Sequence, residues 1–265
     1  MIEVTNHPLS DWKRAVLSAE PADFDGPIPP AGFLMRTEEL GRKTLTEYYI
    51  PFTGVNENAK IIIAGITPGF AQWKNAVAAA QQALRNGLSD EDVLTEAKLT
   101  GAFSGPMRTL FVQQLDHVGF HRVMGVESSV VFFEDAGSVH LTSVFVHPVF
   151  VNDKGLNSIV NLDKSALLRE SLLNGFAKEA EMLSDSVIFP LGKVATAACE
   201  WLVANGKLDG DRVLPGLQHP SPANRARIAY FCGQKTREEM SGANKPEPID
   251  RDKAALLAAM KRRFG

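Results

Sequence analysis

The chain has 265 residues, and its 28 Lys and Arg against 31 Asp and Glu give a formal net charge of −3. Hydrophobic residues make up 45% and charged residues 22%, a balance that is ordinary for a globular domain and excludes collagen, coiled coil and intrinsic disorder. The net charge weighs against a protein that coats nucleic acid, because such proteins usually carry an excess of basic residues.

Neither a membrane anchor nor a metal framework is predicted. No apolar run approaches the ~18 residues that span a bilayer, and the N-terminus is too polar for a secretory signal, so we expect a cytoplasmic protein. The two cysteines, Cys199 and Cys232, are too few for a disulfide framework or a four-cysteine metal site. We therefore expect two ordinary thiols, no metal and no cofactor.

Four apolar segments predict the strands of one sheet. Continuous apolar runs are typical of strands that are covered on both faces. Helical periodicity between the runs implies right-handed crossovers and helices on both sides. The predicted fold class is therefore α/β, a three-layer α/β/α sandwich with a central four-stranded, mainly parallel sheet. The strands span residues 60–65, 139–146, 186–191 and 213–217, the last weakened by Pro215, which cannot donate to a ladder.

Helices are predicted from apolar residues at a 3.6-residue period and from their end signals. In chain order they span residues 73–86, 107–118, 163–183 with Asp163 as the N-cap, 193–205, and 250–264 with a basic end.

The chain is predicted to be a single domain. Its core covers about residues 58–236, and a helical pair at about 73–99 is inserted after the first strand. Residues 1–57 form an N-terminal extension that includes an irregular Pro- and Gly-rich connection at 20–32. A turn-rich linker at 240–249 leads to the C-terminal helix.

The first unusual loop is Gly65–Gln72 (GITPGFAQ), directly after the first predicted strand. Two glycines and a proline make a rigid turn that brings backbone close to a ligand. Ligands of such sheets bind beyond the carboxyl ends of the strands. A simple exit from the strand is the alternative interpretation, and the lack of a Gly-Lys-Ser/Thr ending excludes a P-loop.

The second unusual loop is Leu214–Asn224 (LPGLQHPSPAN), which follows the last predicted strand. Rigid proline backbone holds His219 in a defined direction, and Ser221 and Asn224 can donate hydrogen bonds or cap the next helix. A histidine that is merely satisfied within a turn is the alternative.

Together, the two loops resemble the two signature motifs of the uracil-DNA glycosylase superfamily, and most nearly those of its single-strand-selective monofunctional branch. The resemblance covers about residues 58–236 and rests on GITPG after the first strand and HPSPAN after the last. It implies a glycosylase-like fold and a protein that flips uracil or another damaged base out of DNA, single-stranded DNA included, and hydrolyses its N-glycosidic bond. The expected partner is DNA or a ligand that contains a nucleobase.

The resemblance also implies roles for individual residues. His219 would donate to the negative charge that develops on the base, and Thr67 would position water. Phe103, ahead of the 107–118 helix, would stack on the flipped base or, alternatively, anchor that helix in the core. The implied base-binding residues are Gly65, Ile66, Pro68, Gly69, Phe70, Phe103, Thr142 and Ser143. The implied DNA-contacting residues are Ser221, Pro222, Ala223, Asn224, Arg225 and Arg227.

Two functional parts of the superfamily pattern are missing. Ile66 and Thr67 stand where active branches carry an acidic or amide side chain, and threonine is no general base at neutral pH. The base-reading asparagine is also missing from the strand, where Thr142 or Ser143 takes its place depending on register, unless Asn152 or Asn157 folds back. The nearest carboxylates along the chain are Glu134, Asp135 and Asp153. An alternative is therefore a protein that binds nucleic acid or a nucleobase without excising it, and a third is an α/β enzyme acting on a small nucleotide-like substrate.

The charge distribution suggests a polyanion-binding face. Three stretches carry basic residues and no Asp or Glu, namely residues 58–89, 97–115 and 212–237. They contain the two unusual loops and Phe103. A basic face around the two loops on an acidic body would favour phosphate contact, and an ordinary solvated face is the alternative.

Overall fold

The computed structural model describes residues 2–3, 5–103, 106–133, 137, 139–158, 161–242 and 244–265. The strands in these ranges are β1 (Ile2–Glu3), β2 (Leu34–Leu40), β3 (Lys43–Tyr48), β4 (Gly54–Val55), β5 (Ile61–Gly65), β6 (Val139–Ser143), β7 (Val149–Val151), β8 (Lys154–Gly155) and β9 (Val187–Pro190). The helices are α1 (Leu9–Ser18), α2 (Phe70–Arg85), α3 (Asp90–Gly101), α4 (Pro106–His117), α5 (Phe120–Val123), α6 (Ala166–Asn174), α7 (Phe176–Met182), α8 (Gly192–Ala204), α9 (Arg225–Phe231) and α10 (Pro246–Phe264).

The central sheet is parallel but has three strands, in the order β6-β5-β9. The expectation of a fourth strand at 213–217 is wrong, since Val213 makes only an isolated bridge to Ile188. Pro215 has no N–H to continue a ladder. Gly216 then takes a φ of +138°, and a Cβ at that position would lie 2.5 Å from the Asp252 carbonyl oxygen. The chain therefore turns away from the sheet and packs against α10.

Alternate residues of β5 point to opposite faces of this sheet. Ile61 and Ile63 join an apolar cluster that includes residues of α1, α2, α3, α4, α9 and α10. Ile62 and Ala64 join a second cluster that includes residues of α6, α7 and α8. The prediction of a mixed α/β chain whose parallel strands are covered on both faces is thus confirmed.

A four-stranded antiparallel sheet, β2-β3-β7-β8, was not expected from the sequence. It joins the N-terminal segment to the chain that follows β6, with Leu45 opposite Val151. The predicted strand 139–146 ends at Ser143, since the chain there leaves the parallel sheet to reach β7.

The long helix predicted at 163–183 is interrupted. A Cβ on Gly175 would lie 2.9 Å from the Ser171 carbonyl oxygen and 3.0 Å from Val146 Cγ2. The chain from β6 approaches the helix closely at this point, so the helix divides into α6 and α7. Its N-cap is Ser165, which accepts a hydrogen bond from the Leu168 N–H at 3.1 Å, and not Asp163.

The other helix predictions hold within a few residues. The inserted helical pair is observed as α2 and α3, and Ser89 caps α3 by accepting from the Asp92 N–H. The C-terminal helix α10 buries Ile249, Leu256 and Met260, which places it within the core. None of the helices in the described ranges combines the length and the apolar character that crossing a bilayer requires.

Candidate functional site

The loops that carry the motifs leave the same, carboxyl edge of the parallel sheet, and a backbone hydrogen bond ties each of them to the segment that follows another strand of that sheet. The Val144 N–H, just after β6, donates to the Gly65 carbonyl at 2.9 Å. The Gly192 N–H, just after β9, donates to the Leu217 carbonyl at 3.0 Å. The two loops singled out in the sequence are therefore parts of one edge, as expected for parallel strands.

His219 lies on this edge with its ring partly buried. Burial lowers the pKa of the imidazole from 6.5 to about 4, because the charged form loses its hydration. The ring is therefore neutral at pH 7, with one N–H donor and one acceptor nitrogen. In the part of the chain that the structure describes, no side chain or backbone group bonds to the ring nitrogens, so both are available to a ligand.

The backbone of His219 is held tightly even though its ring is free. The Asn224 side-chain amide donates to the His219 carbonyl at 3.0 Å. On the opposite side, Gly192 has a φ of +79°, and a Cβ there would lie 2.9 Å from the His219 Cβ. Only glycine permits both this backbone conformation and this approach. Asn224 was expected to contact DNA, and its observed role is to fix the loop.

A second group at the edge consists of Gly65, Phe103 and Ser143. A Cβ on Gly65 would lie 3.3 Å from Ser143 Oγ and 3.6 Å from the Phe103 ring. The structure therefore brings together three of the residues that sequence analysis assigned to base binding. Phe103 also has a φ of 49°, a region that a bulky residue rarely adopts and that often accompanies functional sites.

Phe103 is nevertheless packed into the core. It is 4% exposed, and its ring stacks on Phe111 with centroids 5.3 Å apart and meets the edge of Phe133. The helix-anchor interpretation thus describes the observed contacts, and stacking on a base would require the loop to uncover the ring. The two residues that follow, Ser104 and Gly105, lie outside the described residues.

The register of β6 decides between the two candidates for base recognition. Thr142 pairs with Ala64, and its hydroxyl donates to the buried Glu179 carboxylate at 2.6 Å on the face of α7. Ser143 pairs with Gly65 and is partly exposed beside Phe103. Of the two hydroxyls, only that of Ser143 lies at the candidate site.

The hydroxyl of Thr67 stabilises a turn of the backbone. It donates to the His147 carbonyl and accepts from the Val149 N–H, both at 2.9 Å, which fixes the turn between β6 and β7. A threonine hydroxyl has one donor and two acceptor lone pairs, so one lone pair remains for water. Thr67 can therefore receive a hydrogen bond from water but has no proton left to donate.

The remaining residues of the first loop start α2. The Gly69 N–H donates to the Gln72 side chain at 3.0 Å, and Phe70 stacks on Trp73 with centroids 5.5 Å apart. Pro68 is buried, and Ile66 packs against the cluster on the α6–α8 face.

The HPSPAN loop leads into α9, which begins at Arg225. Ser221 precedes one 3-10 turn, formed by Pro222, Ala223 and Asn224. Arg225 is exposed and has no partner among the described residues, whereas Arg227 donates through two nitrogens to the Gln218 side-chain oxygen at 3.1 and 2.8 Å. Arg225 is therefore the cation of this loop that is free for phosphate.

The polyanion-binding face inferred from charge needs correction, because several of its cations already have partners. Arg212 donates to three backbone carbonyls at the end of α7 and the start of β9. Arg237 pairs with Glu247 and Asp250 of α10. Lys98 is buried and donates to the Gly54 carbonyl, and Arg108 donates to Leu99 and Ala102 carbonyls. The basic side chains of a stretch that lacks acidic residues can therefore still be paired with carboxylates or carbonyls from other parts of the chain.

The carboxylates and amides that the sequence offered as substitutes are not seen to contact the candidate site in the described residues. Glu179 lies across the sheet and is engaged by Thr142 and His140. Asp153 is exposed at the β7–β8 turn, and Asn152 in the same turn accepts from the Thr44 N–H. Asn157 is exposed, and Glu134 and Asp135 lie outside the described residues.

The residues that hold His219 in place were not predicted from the sequence. Gly192 follows a predicted strand, which is the one available signal, because a glycine at such a position often allows a left-handed turn. Gln114 and Gln218 form a buried pair next to His219, and nothing in the sequence distinguishes them from surface glutamines.

These features define an α/β protein with a histidine loop and a glycine turn at the carboxyl edge of a parallel sheet. The chain is 32% identical over 200 residues to the protein described as "Uncharacterized protein YoxB" of Bacillus subtilis (strain 168), an alignment that covers 72% of this chain and 77% of that protein. The chain belongs to the YoxB family. No protein-family model matches it.

Proposed function

We propose that the protein is a DNA glycosylase-like enzyme of the uracil-DNA glycosylase type, which hydrolyses the N-glycosidic bond of uracil or another damaged base flipped out of DNA. The observation that carries the proposal is His219, whose ring is neutral and has no partner among the described residues while its backbone is fixed by Asn224 and Gly192. A polar side chain whose backbone is held firmly while its polar atoms have no protein partner is well placed to bind a ligand. The convergence of Gly65, Ser143 and Phe103 at the same edge supports it.

The proposed mechanism uses electrostatic stabilisation in place of a strong base. As the bond breaks, negative charge develops on the base and positive charge on the sugar. The neutral His219 donates a hydrogen bond from its N–H to the negative oxygen, a contribution that grows as water is excluded from the site. Ser143 contacts the base edge through one hydroxyl. Thr67 accepts a hydrogen bond from the attacking water, whose oxygen bonds to the sugar carbon while its proton ends on the departing base anion.

Water addition is the weak step of this mechanism. General-base help typically contributes about 10²–10⁴-fold, and a threonine hydroxyl at the position of Thr67 does not supply it. We therefore expect slow base release relative to an enzyme that has such a base.

The test is incubation of the purified protein with oligonucleotides that contain uracil, hypoxanthine or xanthine, followed by alkaline cleavage at abasic sites. His219→Ala should abolish cleavage, whereas His117→Ala, which removes an exposed histidine at the end of α4, should leave it unchanged. Equal cleavage by the parent protein and His219→Ala would refute the catalytic role, because contaminating activity does not depend on His219.

The alternative is a protein that binds nucleic acid or a nucleobase without excision. The two backbone hydrogen bonds of the Thr67 hydroxyl favour it, since they leave that residue no proton to donate. This alternative predicts binding that weakens as salt rises, with no base release. Base release that depends on His219 would exclude it.

A further inference from the structure

One face of α4 contacts both halves of the candidate site. Phe111 and Gln114 lie one helical turn apart, so their side chains project side by side. Phe111 stacks on Phe103, with the rings only 10° from parallel. Gln114 is completely buried and reaches the residue that precedes His219.

Gln114 forms a reciprocal pair with the backbone of Gln218. Its side-chain oxygen accepts from the Gln218 N–H at 2.8 Å, and its side-chain nitrogen donates to the Gln218 carbonyl at 2.9 Å. These bonds satisfy both backbone groups of a buried residue, which no neighbouring strand does in this part of the chain. Removing the amide would leave two buried polar groups without partners, a costly state that the loop can relieve only by moving.

The side chain of Gln218 is held as well. Its oxygen accepts from two nitrogens of Arg227, and its own amide lies 3.3 Å from the Gly216 carbonyl. Gln218 is therefore fixed through backbone and side chain alike, whereas the ring of the next residue, His219, has no bond to any described residue.

We propose that Gln114 is a positioning residue that sets the direction of the His219 ring. The inference rests on the proposed function for its catalytic consequence, although the positioning itself does not depend on it.

A purely structural role for Gln114 makes a different prediction. In that case its loss would lower stability and leave the surroundings of His219 unchanged in the folded protein. Positioning instead requires that the His219 ring responds in molecules that remain folded. A change in the surroundings of the His219 ring therefore distinguishes positioning from a purely structural role, whereas a change in the free energy of unfolding does not.

The test compares Gln114→Met, which has a similar length and no polar group, with Gln113→Met, the neighbouring glutamine on the same helix. The pKa of the His219 ring is measured by NMR titration in each folded variant. We expect Gln114→Met to raise it by about one unit or more, because a loosened loop admits water to the ring. Gln113→Met should leave it unchanged. An unchanged His219 titration in folded Gln114→Met would overturn the proposal.

Gln114→Glu serves as the conservative variant and protects the test against failure to fold. A buried carboxyl tends to stay protonated, and in that form it has one donor and one acceptor, like the amide. It should keep the His219 pKa close to that of the parent, and a shift as large as in Gln114→Met would count against the proposal.

Base release provides the second readout. A misplacement of about 1 Å can cost up to about 100-fold, so we expect kcat to fall about 10- to 100-fold in Gln114→Met, with a smaller change in KM. If the parent releases no base, the proposed function fails, and the NMR titration still decides the positioning role. If the parent releases base and Gln114→Met does so equally fast, the positioning role fails alone.

Discussion

Substitution of Gly192 by alanine tests whether close packing holds the His219 loop. A residue with a side chain pays about 1–2 kcal/mol in the left-handed region, and Gly192 has a φ of +79°. In addition, the new Cβ would lie 2.9 Å from the His219 Cβ and 3.3 Å from its backbone nitrogen, so the loop must move. Overpacking of this kind costs about 1–3 kcal/mol. Together we expect a loss of about 2–5 kcal/mol in the free energy of unfolding.

Gly206→Ala is the matched control for this experiment. Gly206 follows the other end of α8 with a φ of +66°, and a Cβ there meets nothing within 4 Å. Gly206→Ala therefore has the cost of a left-handed backbone conformation but not the cost of a steric contact. Urea unfolding followed by tryptophan fluorescence should therefore show Gly192→Ala to be less stable than Gly206→Ala by about 1–3 kcal/mol. Equal losses, together with an unchanged NMR signal of the His219 ring, would refute the claim that Gly192 holds the loop.

Three further predictions concern the same site and its surroundings. Thr67→Val should lower the free energy of unfolding by about 1–3 kcal/mol in urea melts, because the Val149 N–H loses its partner, whereas Thr67→Ser should match the parent. Lys98 is fully buried, and desolvation lowers its pKa from 10.5 to about 8. The unfolded chain thus binds more protons between these two values, so the stability of the parent should gain up to about 3 kcal/mol as pH rises through that window, a gain that Lys98→Met should lack. Arg225→Ala should weaken binding to single-stranded DNA and reduce its salt dependence by about one ion, since Arg225 is exposed and unpartnered among the described residues. A binding isotherm for Arg225→Ala that overlays the parent at every salt concentration would contradict a phosphate contact.

The sequence predicts the edge where the loops meet because that edge follows from local patterns. Apolar runs mark β5, β6 and β9, and loops that follow parallel strands must lie at one edge. The proximity of Gly65 to Ser143 is a consequence of this rule and of strand register. The antiparallel sheet could not be predicted in the same way, because Leu45 pairs with Val151, about a hundred residues later in the chain.

The state of each site residue depends on partners that are distant in sequence. Thr67 is occupied by the His147 carbonyl, and Arg237 by carboxylates of α10. No local pattern in the sequence identifies these partners, so a hydroxyl or a cation that looks available in the sequence is found engaged. The same holds for Gln114, whose importance arises only from contact with a loop that lies 104 positions away.

The most direct test of the account is the free base released from a uracil-containing single-stranded oligonucleotide under excess protein, quantified by mass spectrometry. The account predicts slow release by the parent and by His117→Ala, and none by His219→Ala. Release that persists in His219→Ala, or its absence from the parent with each of uracil, hypoxanthine and xanthine, would contradict the claim that His219 acts on the base of a glycosidic bond.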